Sequence, residues 1–277
     1  MVSHGVRIGI RVNDPEVLER LVDRLPPASK PAATPVVDEL FSLRTARNTP
    51  GAAVRRFSLL YWGAGRVVRS LDPTEAIEAL ESFLNLVVAV RARRRLFVRA
   101  GVVGWQDRAI VLPGRPGNGK STLVAALVRA GATYYSDLYA VLDPAGRVHP
   151  YPKPLTLPAA EGDRTRKCPA AALPGPWGSR PLPLGLVAFT TFRPGATWRP
   201  RVVSPGQAVL RLLADTVQTR LRPETTLAIL QRAVRGAVAL GGRRGEADAM
   251  ARTLLERVPA DTAGPLAGLT NGRGSGV

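Results

Sequence analysis

Cysteine and histidine are nearly missing from this sequence: Cys168 stands alone, and His4 and His149 are the only histidines. A single thiol closes no intramolecular disulfide, and without a Cys/His cluster there is nothing to hold a structural zinc. Aromatic residues make up only 5% of the chain. That is too sparse for the interleaved aromatic and basic surface that single-strand or RNA recognition uses. Long apolar runs are missing as well. The longest, near residues 84–90 and 184–189, are too short to cross a bilayer, and the first residues lack the apolar stretch of a signal peptide. No membrane association and a reducing cytoplasm are therefore expected.

Acidic residues are scarce too, 21 against 39 basic ones, which leaves a formal charge of +18. Such a field attracts polyanions, but its placement decides what it means. The basic residues are nearly all arginine, lysine being confined to Lys30, Lys120, Lys153 and Lys167, and they are scattered through every segment. The densest run, Arg91-Ala92-Arg93-Arg94-Arg95, closes a predicted helix, where positive charge suits the carbonyl end of the macrodipole. We read a solvated helix end and not a nucleic-acid surface. With 277 residues, 45% of them hydrophobic, there is ample material for one large α/β domain or two smaller ones.

Local signals divide the chain. Residues 5–12 read as a strand, and Asn13-Asp14-Pro15-Glu16 then gives a cap, a first-turn proline and a first-turn acid to a helix through Val22. Residues 26–35 read as a loop, and residues 55–62 and 66–71 flank Gly63-Ala64-Gly65 as a hairpin. Asp72-Pro73-Thr74-Glu75 starts a helix to about Arg93. Residues 97–103 and 108–112 read as adjacent buried strands, 121–130 as a helix stopped by Gly131, and 133–136 as a further strand. Residues 139–142 and 147–149 form another expected hairpin. Residues 154–183 have no period and read as a lid, binding loop or insert. A strand at 184–192 and helices from Ser204 to about Leu221, from Pro223 to about Val234 and from Glu246 to Val258 complete the expected structure, and the tail from Ala260 is expected to be disordered. The division that follows is an N-terminal α/β region over 1–95, a second α/β unit with C-terminal helices over 96–259, and the tail.

Between the strand at 108–112 and the helix from Ser121 stands Gly114-Arg115-Pro116-Gly117-Asn118-Gly119-Lys120-Ser121, followed by Thr122. Strand, Gly-x-x-x-x-Gly-Lys-Ser and helix is the context a phosphate-binding P-loop demands. The glycines let successive N–H groups curl around one anion, and the helix N-terminus adds partial positive charge. Lys120 would reach the β- and γ-phosphates and the Ser121 hydroxyl would ligate Mg²⁺. ATP with Mg²⁺ is the expected ligand. Phosphoryl transfer also needs an acid to hold the ion or deprotonate the nucleophile, and Asp137, at the end of the strand after the P-loop helix, is the best placed.

Phe97-Val98-Arg99-Ala100-Gly101-Val102-Val103, the P-loop and Tyr134-Tyr135-Ser136-Asp137 together resemble the catalytic core of HPr kinase/phosphorylase-like proteins, over roughly residues 96–154. The seventeen positions from Lys120 to Asp137 are similar to that family's interval between P-loop lysine and catalytic aspartate. Val141-Leu142-Asp143, Arg147-Val148-His149-Pro150-Tyr151 and Arg244-Gly245-Glu246-Ala247 resemble a bacterial subgroup labelled HPr kinase-related. The resemblance implies a fold related to phosphoenolpyruvate carboxykinase and an ATP-dependent kinase acting on a seryl hydroxyl of a small protein or peptide, with Asp137 as base. Homo-oligomerisation is left open.

Two positions depart from the family. It generally has histidine where Arg99 stands and a second acid where Leu138 stands. Arg99 cannot act as a base near neutral pH, yet it can neutralise γ-phosphate charge, whereas Leu138 removes a ligand for Mg²⁺ or water. Glu161 and Asp163 in the long loop are alternative acids, though a solvated loop is the simpler reading. His149 reads as a surface or packing residue, and Glu246 suits the first turn of a helix. Three functions stay open: an active serine kinase with Lys120, Arg99 and Asp137 in its site, a nucleotide-binding regulator that has lost turnover, and a P-loop ATPase acting on nucleic acid.

Overall fold

The computed structural model describes residues 1–46, 55–114, 118–158, 165–168 and 175–259. Glu161 and Asp163, Arg115, Pro116 and Gly117 of the glycine-rich loop, and the tail from residue 260 lie outside the described residues. Among the described residues, no helix is long and apolar enough to cross a membrane.

The N-terminal layer is a five-stranded sheet with a long helix on it. Its strands are β1 (Val2–Ser3), β2 (Val6–Val12), β3 (Glu39–Arg44), β4 (Ser58–Trp62) and β5 (Gly65–Ser70), in that spatial order. β2 and β3 run parallel, which requires a crossover, and α1 (Pro15–Val22) lies in it. Both α1 and α2 (Pro73–Arg91) start as their sequences dictate, with Asp14 and Asp72 accepting from the N–H groups of Glu16 and Thr74 ahead of a first-turn proline. α2 buries Ile77, Leu80, Leu84, Val87 and Val88, one apolar stripe, while Phe41 and Leu43 point inward from β3. β3 is a strand that the local signals above do not mark.

The second sheet is mixed. It contains β6 (Leu96–Trp105), β7 (Arg108–Pro113), β8 (Thr133–Ser136), β9 (Tyr139–Leu142), β10 (Val148–His149), β13 (Leu184–Phe192), β14 (Arg201–Val202) and β15 (Val238–Arg244). Its order is β10-β9-β6-β7-β13-β15-β14, with β8 also on β6; β7, β13 and β15 are parallel. α3 (Lys120–Arg129) and α6 (Ala247–Leu255) cover one face, and α4 (Pro205–Asp215) and α5 (Pro223–Val234) the other. The protein is thus α/β. Part of the expected loop over 154–183 is a small antiparallel pair, β11 (Leu155–Pro158) with β12 (Thr165–Cys168).

Three further expectations need correction. β15 was not foreseen. The hairpin between β6 and β7 turns on Gln106 and Asp107 alone, both at positive φ, because Gly104 and Trp105 stay in the strand. α4 stops at Asp215 and not near Leu221. Its continuation is captured by β6: Thr216 bridges Val98, the Val217 N–H donates to the Phe97 carbonyl at 2.9 Å, and the Gln218 side chain accepts from the Phe97 N–H at 2.8 Å. Gln218 is fully buried and also donates to the carbonyls of Ala92 and Arg95.

The two layers share an apolar cluster in which Phe97, Tyr139, Val141 and Tyr151 meet Val6, Ile8, Phe41, Leu80 and Leu84. Polar ties run beside it. Lys153, 6% exposed, places Nζ 3.0 Å from Glu81 Oε1 and donates to the Arg24 carbonyl; Arg24 itself pairs with Glu81 at 3.3 Å, and the Tyr151 hydroxyl donates to Asn85 Oδ1. Lys153→Met keeps the aliphatic stem and removes the ammonium from a buried carboxylate. It is expected to lower stability by about 2–3 kcal/mol, read as a lower urea midpoint; an unchanged midpoint would show that the tie contributes nothing.

Candidate nucleotide-binding site

The site forms where β7 runs out. Gly114 follows Pro113 with φ +139°, and its N–H donates to the Arg99 carbonyl of β6 at 3.4 Å. Beyond Asn118, Gly119, at φ +67° and ψ 21°, starts α3. Only glycine takes that conformation without strain, and a Cβ on Gly119 would also stand 2.5 Å from Arg244 Nη2. The first turn of α3 has no side-chain cap and no acid. Its amides therefore face outward with their donors available to an anion.

Lys120 and Ser121 open the helix, and Asp137 comes to them from the end of β8. The Ser121 hydroxyl and the Thr156 N–H both donate to the Asp137 carboxylate. Its Oδ1 is enclosed, 3.8 Å from where a Gly101 Cβ would lie, and has no hydrogen-bond partner among the described residues. Burial raises the Asp137 pKa to about 6, opposed by the Ser121 and Thr156 hydrogen bonds and the Lys120 charge. Burial likewise lowers the Lys120 pKa, opposed by Asp137 and then by Asp215. Sequence and structure agree in bringing Lys120, Ser121 and Asp137 together.

Arg99 borders the same place. Along β6, Phe97, Arg99 and Gly101 share a face by alternation. Gly101 lies against Val124 of α3, so the exposed Arg99 side chain leaves the sheet on the α3 face. Leu138, where the resemblance calls for an acid, is 37% exposed, and its N–H is held by the Ser136 hydroxyl. Thr122 is half-buried in the first turn of α3. His149 is structural, its Nε2 lying 3.0 Å from Asp143 Oδ2. Glu246 sits at the N-cap of α6 and makes no side-chain capping bond.

Two residues of the site were given no role there by the sequence reading, although Arg244 stands in a segment that carries the resemblance. Asp215 is brought beside the loop because Thr216 pairs with Val98, one residue from Arg99. An acid at the carbonyl end of a helix is unfavourable, and that was the signal, hidden because the helix was expected to continue. Arg244, at the end of β15, is 1% exposed and donates to the Gly119 carbonyl at 2.8 Å and the Asn118 carbonyl at 3.4 Å.

A separate cavity of about 900 Å³ opens between His4, Arg7, Asp38 and Arg91 to Arg95. It shares no lining residue with this site, and Arg7 and Arg91 are already paired with Asp38 and Glu39 at 2.9 and 2.7 Å. Among the described residues there is no cluster of three or more His, Cys, Asp or Glu that could cage a metal. Any ion at Ser121 and Asp137 would depend on ligand oxygens and water for its remaining positions.

The raised Asp137 pKa makes a prediction for the free protein. The folded state binds this proton more tightly than the unfolded chain, whose carboxyl titrates near 3.8. Asp137 therefore contributes stability below pH 4 that is lost as pH rises through about 6. His4 acts oppositely, since burial lowers its pKa to about 4, so the comparison must be with Asp137→Asn. The difference in melting temperature between wild type and Asp137→Asn should change between pH 4 and pH 6 and be flat above pH 7; a flat difference throughout would refute the shift. No family model matches the chain, and no curated protein or solved structure matches it.

Proposed function

We propose that the chain is an ATP-dependent phosphotransferase of the HPr kinase-like class, with that family's carboxykinase-related core, acting on a seryl hydroxyl of a small protein or peptide. The observation that carries this reading is the meeting of Lys120, Ser121 and Asp137 at the uncapped N-terminus of α3. Lys120 and the first amides of α3 would bind the β- and γ-phosphates of ATP. Arg99 would add fixed positive charge from β6 without exchanging a proton.

Ser121 and Asp137 fit Mg²⁺. Hydroxyl and carboxylate oxygens are its preferred donors, and the enclosed, unpartnered Oδ1 of Asp137 is an acceptor that a cation would satisfy. When bound, the ion would neutralise phosphate charge. Asp137 would also receive the acceptor's proton while the seryl oxygen bonds to the γ-phosphorus and the bond to ADP breaks. Asp215, across β6 from Asp137, supplies a second carboxylate near Lys120 and stands in for the acid missing at Leu138.

The exposed Leu138 favours a second reading, a nucleotide-binding regulator without turnover. Lys120→Ala should fold as wild type, because alanine is a good helix former, but should lose most of the rise in melting temperature that Mg·ATP gives wild type. Asp137→Asn should lower transfer from γ-labelled ATP to small proteins or peptides by about 100-fold or more. An equal rise in wild type and Lys120→Ala would remove the phosphate role of Lys120. Stable ATP binding with no transfer, restored by Arg99→His with Leu138→Glu, would decide for the regulator.

A further inference from the structure

Arg244 is a guanidinium enclosed in the protein, and among the described residues no carboxylate forms an ion pair with it, Glu246 acting on its charge without one. Nη1 donates to the Gly245 carbonyl at 2.9 Å, Nη2 to the Gly119 carbonyl at 2.8 Å and more weakly to Asn118 at 3.4 Å. Its carbon lies 5.2 Å from the Phe192 ring centre, and Nε is buried with no hydrogen-bond partner among the described residues. A buried cation is costly unless its hydrogen bonds and surroundings compensate. Here the compensation is backbone carbonyls, and two of the three belong to the glycine-rich loop.

We propose that Arg244 is the positioning residue of that loop, a clamp that aims its amides at a phosphate group. In a planar trans peptide the carbonyl and the next N–H point in opposite directions. Holding the Gly119 carbonyl on Nη2 therefore turns the Lys120 N–H away from Arg244, and holding the Asn118 carbonyl does the same for the Gly119 N–H. The Gly119 carbonyl is shared, since it also accepts the first helical bond from the Leu123 N–H at 3.1 Å. One arginine thus fixes both the last turn of the loop and the start of α3. Because it reaches the loop from β15, it joins the far strand of the parallel set to the anion site. The positive charge beneath the loop, held on carbonyls and with Glu246 the one carboxylate among the described residues acting on it, adds to the attraction of the helix N-terminus for an anion.

The clamp rests on the nucleotide reading for its function, and the test separates the two. Mg·ATP is titrated into full-length wild type, Arg244→Lys and Arg244→Ala, with and without low-millimolar guanidinium chloride. Loss of a charge-assisted clamp should weaken Mg·ATP binding by roughly ten-fold or more in Arg244→Ala. Free guanidinium should restore part of the affinity, which a general loss of packing would not allow. Lysine lacks the planar fork, so Arg244→Lys should also bind more weakly than wild type. Folded Arg244→Ala with wild-type affinity overturns the proposal, and if that variant does not fold, wild-type affinity in Arg244→Lys overturns it. If wild type ignores Mg·ATP, the nucleotide reading fails instead. The clamp is then judged by hydrogen exchange at the Leu123 amide, which Arg244→Ala or Arg244→Lys should speed by about ten-fold, and unchanged exchange overturns it.

Discussion

β6 has ten residues where its hairpin partner β7 has six, and the consequences of that mismatch run through the molecule. Ala100 to Trp105 pair with β7; Leu96 to Arg99 overhang it. An overhanging strand presents unpaired N–H and C=O groups on the edge its partner has left. Here that edge is filled by Gly114, Thr216, Val217 and Gln218. The other edge is paired by β9. Its two faces are equally committed, Leu96 and Val98 to the core under α4 and α5, and Phe97 to the cluster shared with the N-terminal layer. Lys120, Asp137, Asp215 and Arg99 all converge at the end of the overhang because everything that satisfies its backbone must arrive there.

That arrangement balances charge locally in a chain that is strongly cationic overall. Asp137 and Asp215 both act on Lys120, which burial alone would push towards the neutral amine. Arg244 lies below the loop and Arg99 beside it. Two carboxylates and three cations around an uncapped helix N-terminus leave the site positive without leaving any of its buried acids far from a donor or a cation.

Much of this was legible in the sequence. An acid or serine just before a proline marked the true starts of α1, α2 and α4 because the cap and the first-turn proline are local chemistry. Glycine spacing marked the loop, and the place of Asp137 at the end of the strand after α3 marked the acid that bonds Ser121. What was not legible depended on distant partners. The expected helix runs beyond Asp215, but Val217 and the Gln218 side chain instead bond the backbone of Phe97 on β6, a partner more than a hundred residues away that no local pattern reveals. β15, Val-Ala-Leu-Gly-Gly-Arg-Arg, hides its strand character behind two glycines and two arginines. The glycines are there because Arg211, Trp198 and Val203 approach the backbone closely, and the second arginine because it is a buried ligand of the loop.

The aromatic group that joins the two layers has a bearing on how the chain can be divided. Phe97 meets His4, Tyr139 and Tyr151 edge to face, Tyr139 meets Tyr151 likewise, and His4 lies tilted on Tyr151, with ring centres 5.4 to 5.8 Å apart. Phe97 and Tyr151 have no exposed surface, and Tyr139 has little. A fragment starting at Leu96 would keep every residue of the candidate site while baring three aromatic rings and the valine beside them. Such a flank is sticky, so solubility and not chemistry would set the shortest useful length of this protein.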